Sequence, residues 1–429
     1  MTMSKPVLLY HFFKWVICPL FKLLDLVITK HDKCWAFTVH HIKSDQFIEN
    51  QRAVFDHIKN DDSIEKLIFL RNNREKINLD VNSGRNIRVV HLGSIAGLYE
   101  ISRCKVVFVS HSIAMDYSLR WPGGLFAVPE MALGKRIVVN LWHATSFKKL
   151  LALTSPAVRF RTDRSPFRRK ERKYYAGLIA SSDIDRYAMA AMFHPIHPDH
   201  VWVTGLPRVD YLFRSVAVLP EYVRSQIERL KELKQGRRLI TYAPTYRQTS
   251  AVAGAEYYQF SDGEIERLKT FCAKYDLIFG FRMHYFRNDR ILFNMEQYVD
   301  NETIIDLGHG MFSEMAAVTR CSDGMITDYS SVFIEALCVD IPVFCFAYDF
   351  EHYGQEQDGI LYDFEVAFPG PIVKNFNSLI QSLESEMTAP EGQMSSDRYK
   401  IAKKMFYKYQ DGDNARRVVN QVKRELKVF

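Results

Sequence analysis

Short apolar runs recur along most of this 429-residue chain, and nearly every one is followed by a helix-like segment. The first series is Trp35–Val39, Leu67–Leu70, Arg88–Leu92, Val106–Val109, Ile137–Trp142, Gly177–Ala180 and Val201–Val203. A second series is Leu239–Tyr242, Leu277–Phe281, Thr303–Asp306, Gly324–Thr327 and Pro342–Phe346. Runs that are apolar throughout fit strands buried on both faces, and their alternation with helices predicts parallel sheets. Between the series lies a charged helical stretch, Leu219–Gly236, which places a domain boundary near Ser215–Pro220. The expectation is two α/β halves, 34–217 and 218–395, with a cleft between them, preceded by a helix at 1–33 and followed by a helical, basic segment at 396–429. In such folds ligands bind beyond the carboxyl ends of the strands.

Reactive side chains collect at those ends. The run at 137–142 leads into His143 and Thr145, that at 201–203 into Arg208 and Asp210, and that at 239–242 into Pro244, Thr245 and Arg247. The run at 277–281 leads into Arg282, Met283 and His284, and that at 324–327 into Asp328, Ser330 and Ser331. Taken together they describe a phosphate-binding cleft with a candidate base. The last stretch, ITDYSSVFIEAL from Ile326 to Leu337, reads as a strand end turning into a helix. Ser and Asp there are good N-caps, and the same amides and dipole could seat a phosphate. Plain capping and a phosphate seat both fit these residues. No Walker A, GxSxG or GxGxxG pattern occurs, and the His40-His41 and His194/His197 pairs lack the partner spacing of a metal site.

The N-terminal stretch Pro6–Thr29 is strongly apolar but carries Lys14, Lys22 and Asp25. On an ideal helix these and His11 fall in one sector about 80° wide, with Pro19 predicting a kink. Charges at this density suit a helix lying in a membrane interface, or one packed on its own domain, better than a span. The segment Ala157–Lys173 is rich in cations, including Arg159, Arg161, Arg168 and Arg169, with Phe160 and Phe167 interleaved. It reads as a surface for anionic lipid or a lipid-linked pyrophosphate, or as a solvated basic face. A net charge of +7 suits an anionic substrate or membrane and is too small to argue for nucleic acid. Seven cysteines, mostly in apolar runs and with no CxxC, predict free buried thiols in a reducing compartment. No segment reads as a cleavable secretory signal.

Several stretches carry a family resemblance: NLWHATSFKKL (Asn140–Leu150), TGLPRVDYL (Thr204–Leu212), ITYAPTYR (Ile240–Arg247), FRMH (Phe281–His284) and ITDYSSVFIEALCVDIPVFCFAYDFEHY (Ile326–Tyr353), continuing into GILYDFEVAFPGPIVKN (Gly359–Asn375). In this order and spacing they resemble the CDP-glycerol glycerophosphotransferases of teichoic-acid and capsule synthesis. The resemblance implies a GT-B-like α/β fold of two Rossmann-like domains facing a cleft, an acceptor domain at 34–217 and a CDP-donor domain at 218–395. It implies transfer of glycerol phosphate, or ribitol phosphate in relatives, from a CDP-linked donor to a hydroxyl of a lipid-linked saccharide or growing polymer, with release of CMP. A GT-B glycosyltransferase using a sugar nucleotide is the nearest alternative. Departures from the family pattern are Ala144 where WHGT has Gly, Val209 in PRND, Tyr285 after RxH, and Glu335 in place of Asp.

By the resemblance His143 and His284 are the catalytic candidates, with His143 as the base. Trp142, Thr145, Arg208, Asp210, Pro244, Thr245, Arg247, Arg282, Met283, Thr327, Asp328, Ser330, Ser331 and Glu335 are the substrate-binding candidates. Lys14, Lys22, Arg159, Arg161, Arg168 and Arg169 would meet membrane or acceptor lipid. No protein-held metal or other cofactor is required, and Mg²⁺ on the donor diphosphate is compatible with this chemistry. The implied setting is peripheral, on the cytoplasmic face of the bacterial membrane; a homo-oligomer is compatible with it.

Overall fold

A computed structural model of the chain describes residues 5–40, 46–71, 85–154, 166–245, 257–283, 295–351, 353, 359–389 and 391–428. The first strand series forms β1 (His31–Thr38), β2 (Glu65–Leu70), β3 (Ile87–His91), β4 (Cys104–Val109), β5 (Ile137–Asn140), β6 (Tyr175–Ala180) and β7 (Val201–Val203). The second forms β8 (Arg238–Tyr242), β9 (Leu277–Phe281), β10 (Ile304–Asp306), β11 (Gly324–Thr327), β12 (Val343–Phe346) and β13 (Ile372–Val373). Every pairing within the two sheets is parallel. The sheet orders are β3-β2-β1-β4-β5-β6-β7 and β10-β9-β8-β11-β12-β13. Both are the doubly wound order, in which the winding reverses beside the first strand and opens a crevice at the carboxyl ends. In the first sheet that crevice lies between β1 and β4, in the second between β8 and β11.

All four residues of β5, all four of β11 and all five of β9 are buried, as expected of strands with helices on both faces. Strand β13 and a small antiparallel hairpin, Leu119–Arg120 with Phe126–Ala127, are two residues per strand and carry no periodic signal for a sequence reading to find.

The chain forms two compact units that are not contiguous in sequence: Met1–Ala144, Asp163–Asp210 and Asp413–Phe429, then Thr145–Thr162 and Tyr211–Gly412. The sequence reading places 145–162 and the C-terminal helix differently, and two local causes explain the observed grouping. Phe147 packs its ring on Phe333, Phe364 and Phe406, while Leu361 N–H donates to its carbonyl at 2.9 Å, so this segment joins the second unit. The helix Asn414–Val428 is capped by fully buried Asp210, whose carboxylate accepts the amides of Asn414 (2.8 Å) and Ala415 (2.9 Å), and so joins the first. Gly205, at φ +78°, is needed beside this cap, since a Cβ there would overlap the Asn414 carboxamide.

The N-terminal stretch is helical, with a π turn at Phe13–Ile17 between Lys5–Phe12 and Cys18–Val27. Pro19 supplies no N–H, and Cys18 N–H bonds back to Phe13 O, so the widened turn absorbs the break in the α pattern. Pro6–Val27 is long and apolar enough to cross a membrane by length and composition. It is nevertheless docked on the first unit. Tyr10, Phe13 and Phe21 are buried, and Asp25 is fully buried. Asp25 accepts Arg136 Nη2 (2.5 Å), Arg136 Nη1 (2.7 Å) and the Ala132 amide (2.6 Å). Burial pushes its carboxyl up, but Arg136 outweighs it and holds it below the usual carboxylate range. The single polar sector expected from an ideal wheel is therefore corrected: the π turn changes the phase between Lys14 and Asp25, and Lys22, about 60° from Asp25 within the same α segment, sits at the rim, so Asp25 points inward while Lys14 and Lys22 stay exposed.

Candidate active site

In the first unit the site is built on a strained turn. After β5, Trp142 takes a left-handed φ of 42°, costly for a non-glycine residue. Both its backbone groups are held: its N–H donates to Asn140 Oδ1 (2.8 Å) and its carbonyl accepts Asn50 Nδ2 (3.0 Å). Asn50, fully buried in the helix Glu49–Ile58, also donates to Leu141 O (2.9 Å) and accepts the Arg208 amide (3.0 Å). One carboxamide thus ties together the chain ends that follow β5 and β7. The turn presents His143, half-buried, with its Trp142 neighbour's ring 4.0 Å away.

His143 stacks on His111 at 4.6 Å and 23°, and His111 meets His40 edge-on at 5.7 Å. Asp116 fixes His111, accepting its amide at 2.9 Å and standing 3.4 Å from its Nδ1. Glu49 lies 3.8 Å from His40 and 3.5 Å from Arg208. Burial, then repulsion from His111, Arg208 and His40, outweighs the attraction of Glu49 and lowers the His143 pKa to about 3. Burial would raise the Glu49 carboxyl, but the neighbouring His40 ring and the Arg208 guanidinium hold it at about 2. The outcome is a neutral imidazole beside a fixed carboxylate and a guanidinium. Its Nδ1 has no hydrogen-bond partner among the described residues. Such a ring can take a proton from a hydroxyl.

In the second unit the crevice between β8 and β11 is lined differently. Buried Asp328 accepts the Thr245 amide (2.8 Å) and the Tyr329 amide (2.5 Å), and Thr327 Oγ1 donates to Ala243 O (2.7 Å). These bonds lock Pro244–Thr245 against 327–329. Lys148 Nζ donates to Thr245 Oγ1 (3.2 Å), which brings a cation to the strand end. Ser330 and Ser331 are half-buried ahead of the helix Val332–Cys338. Ser331, the N-cap, makes no side-chain cap bond, and Ser330 Oγ accepts Val332 N–H at 3.4 Å, at the weak end of the range. Side-chain capping here is limited to that one long bond. Glu335, one turn on, is buried.

The remaining candidates divide. Trp142 and Thr145 are buried, Trp142 edge-on to Phe193 at 4.8 Å. Arg282 is buried and donates to Leu307 O (2.6 Å) and Phe312 O (2.8 Å), with His309 Nδ1 at 3.5 Å; it braces the 307–312 loop. Met283 belongs to the aromatic core around Tyr242 and Phe281. Asp210 caps a helix, as described. Lys14, Lys22 and Arg169 are exposed. His284, Arg247, Arg159 and Arg161 lie outside the described residues, as does the side chain of Arg168. Six cysteines are buried and Cys18 is partly so, all as free thiols. Sequence reasoning passed over Asn50, His111, Glu49, Asp116 and Lys148. His111 follows the VVFVS run that begins in β4, and Lys148 sits inside NLWHATSFKKL, so both had a signal; buried Asn50 had none.

In strand order, and over its whole length, the protein is of the GT-B-like class. It superimposes on the wall teichoic acid polymerase TagF with a TM-score of 0.71 at 16% identity, covering 99% of this chain and 98% of that one. A TagF variant soaked with CDPG aligns with a TM-score of 0.73 at 17% identity, covering 99% and 98%. Residues 21–424 match the CDP-Glycerol:Poly(glycerophosphate) glycerophosphotransferase family, and the chain belongs to it. Among curated proteins it is 26% identical over 414 residues to a teichoic acid ribitol-phosphate primase of Bacillus spizizenii, covering 93% of each. It is 28% identical over 297 residues to a ribitol-phosphate polymerase of Staphylococcus aureus, TarK, matching 66% of this chain but about half (52%) of that one. The family is that of teichoic acid glycerol- and ribitol-phosphate transferases and polymerases.

Proposed function

We propose that this protein moves glycerol phosphate from CDP-glycerol to a hydroxyl of a lipid-linked saccharide or growing polymer and releases CMP. The observation that carries the reading is the neutral, half-buried His143, held on a strained turn with an unpartnered nitrogen at the carboxyl end of a doubly wound sheet. His143 takes the acceptor hydroxyl's proton as that oxygen attacks the glycerol-bearing phosphorus, and the bond to the CMP oxygen breaks. Phosphoryl transfer asks chiefly for positioning and charge stabilisation. Lys148, Thr245, Ser330 and Ser331 supply donors for the diphosphate and for the charge that leaves with CMP. Arg208 stands beside His143, its charge balanced by Glu49. Buried Arg282 acts by bracing the loop it holds, and Glu335 accepts from ribose hydroxyls. Mg²⁺ would travel on the donor diphosphate rather than on a protein site.

Ribitol phosphate is the second reading, favoured by the relative that matches 93% of this chain, a ribitol-phosphate primase. Pure protein offered CDP-glycerol, CDP-ribitol and common sugar nucleotides with a lipid-linked acceptor should consume a CDP-polyol and add its phosphate to the product mass. Consumption of sugar nucleotides alone would overturn the proposal. The protein would work at the cytoplasmic membrane face, held by the docked N-terminal helix. That helix turns Leu8, Leu9, Phe12, Trp15, Leu20 and Leu23 to solvent, an apolar face of the kind that buries in a bilayer interface. Flotation with anionic vesicles, weakened by salt and by Leu20→Ser/Leu23→Ser, is the expected outcome; no association with vesicles would remove this part.

A further inference from the structure

Beside the N-terminal helix the first unit holds a cavity of about 560 Å³, in the size range of small-molecule sites. One wall is the helix, with Lys14, Trp15, Cys18 and Lys22; the other is the loop 124–130, with Phe126 and Glu130. We infer that this cavity holds the headgroup of a single anionic phospholipid, a monoanionic phosphodiester, taken from the bilayer on which the helix rests. The proposal builds on the membrane-surface reading above and adds a discrete site to it.

Three features support that occupant. First, the charges match. Lys14 and Lys22 face one acid, Glu130, which Lys22 reaches at 2.6 Å with both groups more than half exposed (58% and 54%). The balance is one positive charge, the complement of a phosphodiester. Lys14 is held near Trp15, its ammonium 5.2 Å from the ring, and donates to Tyr10 OH at 2.9 Å. An ammonium has three donors, so two remain for phosphate oxygens. Second, the lining is amphiphilic as the ligand is. Trp15 and Phe126 are 67% and 57% exposed, large apolar surfaces beside the lysines that acyl carbons would cover. Third, the cavity has no reactive group. Burial and the Glu130 carboxylate push the Cys18 thiol up to about 11, so it stays a neutral wall. This is a place to bind rather than to react.

The test uses the full chain and a soluble lipid. Dihexanoyl phosphatidylglycerol, kept below its micelle concentration, should bind saturably by calorimetry and shift tryptophan emission, and Trp15→Phe should abolish the shift. Each lysine near an anionic group is worth about fivefold in affinity, so Lys14→Gln/Lys22→Gln should weaken binding about 25-fold. Glu130→Gln should strengthen it by about twofold. Dihexanoyl phosphatidylcholine and inorganic phosphate should bind at least tenfold more weakly. Equal binding of the two lipids, indifference to the lysines, or phosphate binding as well as the lipid would each overturn the proposal. Leu20→Ser/Leu23→Ser, which targets the bilayer face, should weaken vesicle flotation yet keep the soluble lipid. If vesicles bind and the soluble lipid does not, the cavity proposal falls and the surface reading stands; the reverse result keeps the cavity as a headgroup site and removes both the surface reading and the bilayer as the source of its lipid.

Discussion

At the carboxyl end of the first sheet rings and charges crowd together: His40, His111 and His143, with Glu49 and Arg208 against them. At the same end of the second sheet the groups are hydroxyls, backbone amides locked by Asp328, and one lysine. Both ends come from the same strand order, so topology supplies the crevice and the side chains supply the chemistry. The first arrangement keeps a titratable ring uncharged by burial and by like-charged neighbours. The second, among the described residues, presents fixed donors and little that titrates near neutrality. A proton acceptor and an anion seat are different demands, and the function proposed above assigns one to each end.

Breaking the first end should cost most. His143→Ala is expected to lower the transfer rate by about 10²–10⁴-fold with CDP-polyol affinity unchanged by calorimetry; an unaltered rate would take His143 out of the mechanism. Asn50→Ala removes the tie between the Trp142 carbonyl and the Arg208 amide. It should lower kcat by about tenfold to a hundredfold through misplacement of His143 while leaving the donor KM within twofold; a change in KM alone would place Asn50 elsewhere. Breaking the second end should read out in binding instead. Lys148→Ala is expected to raise the donor KM about tenfold, the worth of one charge-assisted hydrogen bond, with acceptor KM unchanged.

The contrast can also be sharpened by pH. Because His143 is held at about 3, the free-enzyme rate should stay level as pH falls from 8 to about 5, where an ordinary histidine would already have charged. An acid limb centred near 6.5 in kcat/KM would contradict it. A smaller effect belongs to Glu171, whose carboxyl burial raises to about 7 from 4.5. Its folded-state pKa is the higher one, so the stability it contributes is full below about 4.5 and lost as pH rises through 7. Glu171→Gln keeps acceptors for Tyr175 OH and the Ile113 amide, and should recover about 1–3 kcal/mol at pH 8 relative to pH 4. Melting temperatures that track the parent protein at both pH values would refute this.

Most of the strands were legible because each is a continuous apolar run, and that signal survives without partners. Their ends shifted where edge residues such as His31–Lys33 pair while still exposed. His143 and the 327–331 turn were legible because reactive residues after a buried strand stand out. Unit membership was harder to read, since it depends on where Phe147 and Asp210 find partners far along the chain. Asn50 was hidden for a related reason: it is one amide in an amphipathic helix, and its three bonds join segments roughly 90 and 158 residues away. Arg282 and Met283 illustrate the opposite case. They sit inside a motif, yet one braces a loop and the other fills a core.

The ion pair between Asp25 and Arg136 has a practical consequence. An appendage can be trimmed to obtain a soluble enzyme; here the first thirty residues carry the counter-charge of an arginine buried in the domain that bears His143. Removing one partner of such a pair typically costs about 3–5 kcal/mol. Truncation would thus confound loss of membrane contact with loss of folding. A soluble form is better made by recolouring the outer face with serine or glutamine while leaving Tyr10, Phe13, Phe21 and Asp25 in place. The same logic bears on biogenesis: the helix must fold together with the domain, and a chain that threaded it into the bilayer first would have to draw that aspartate back out.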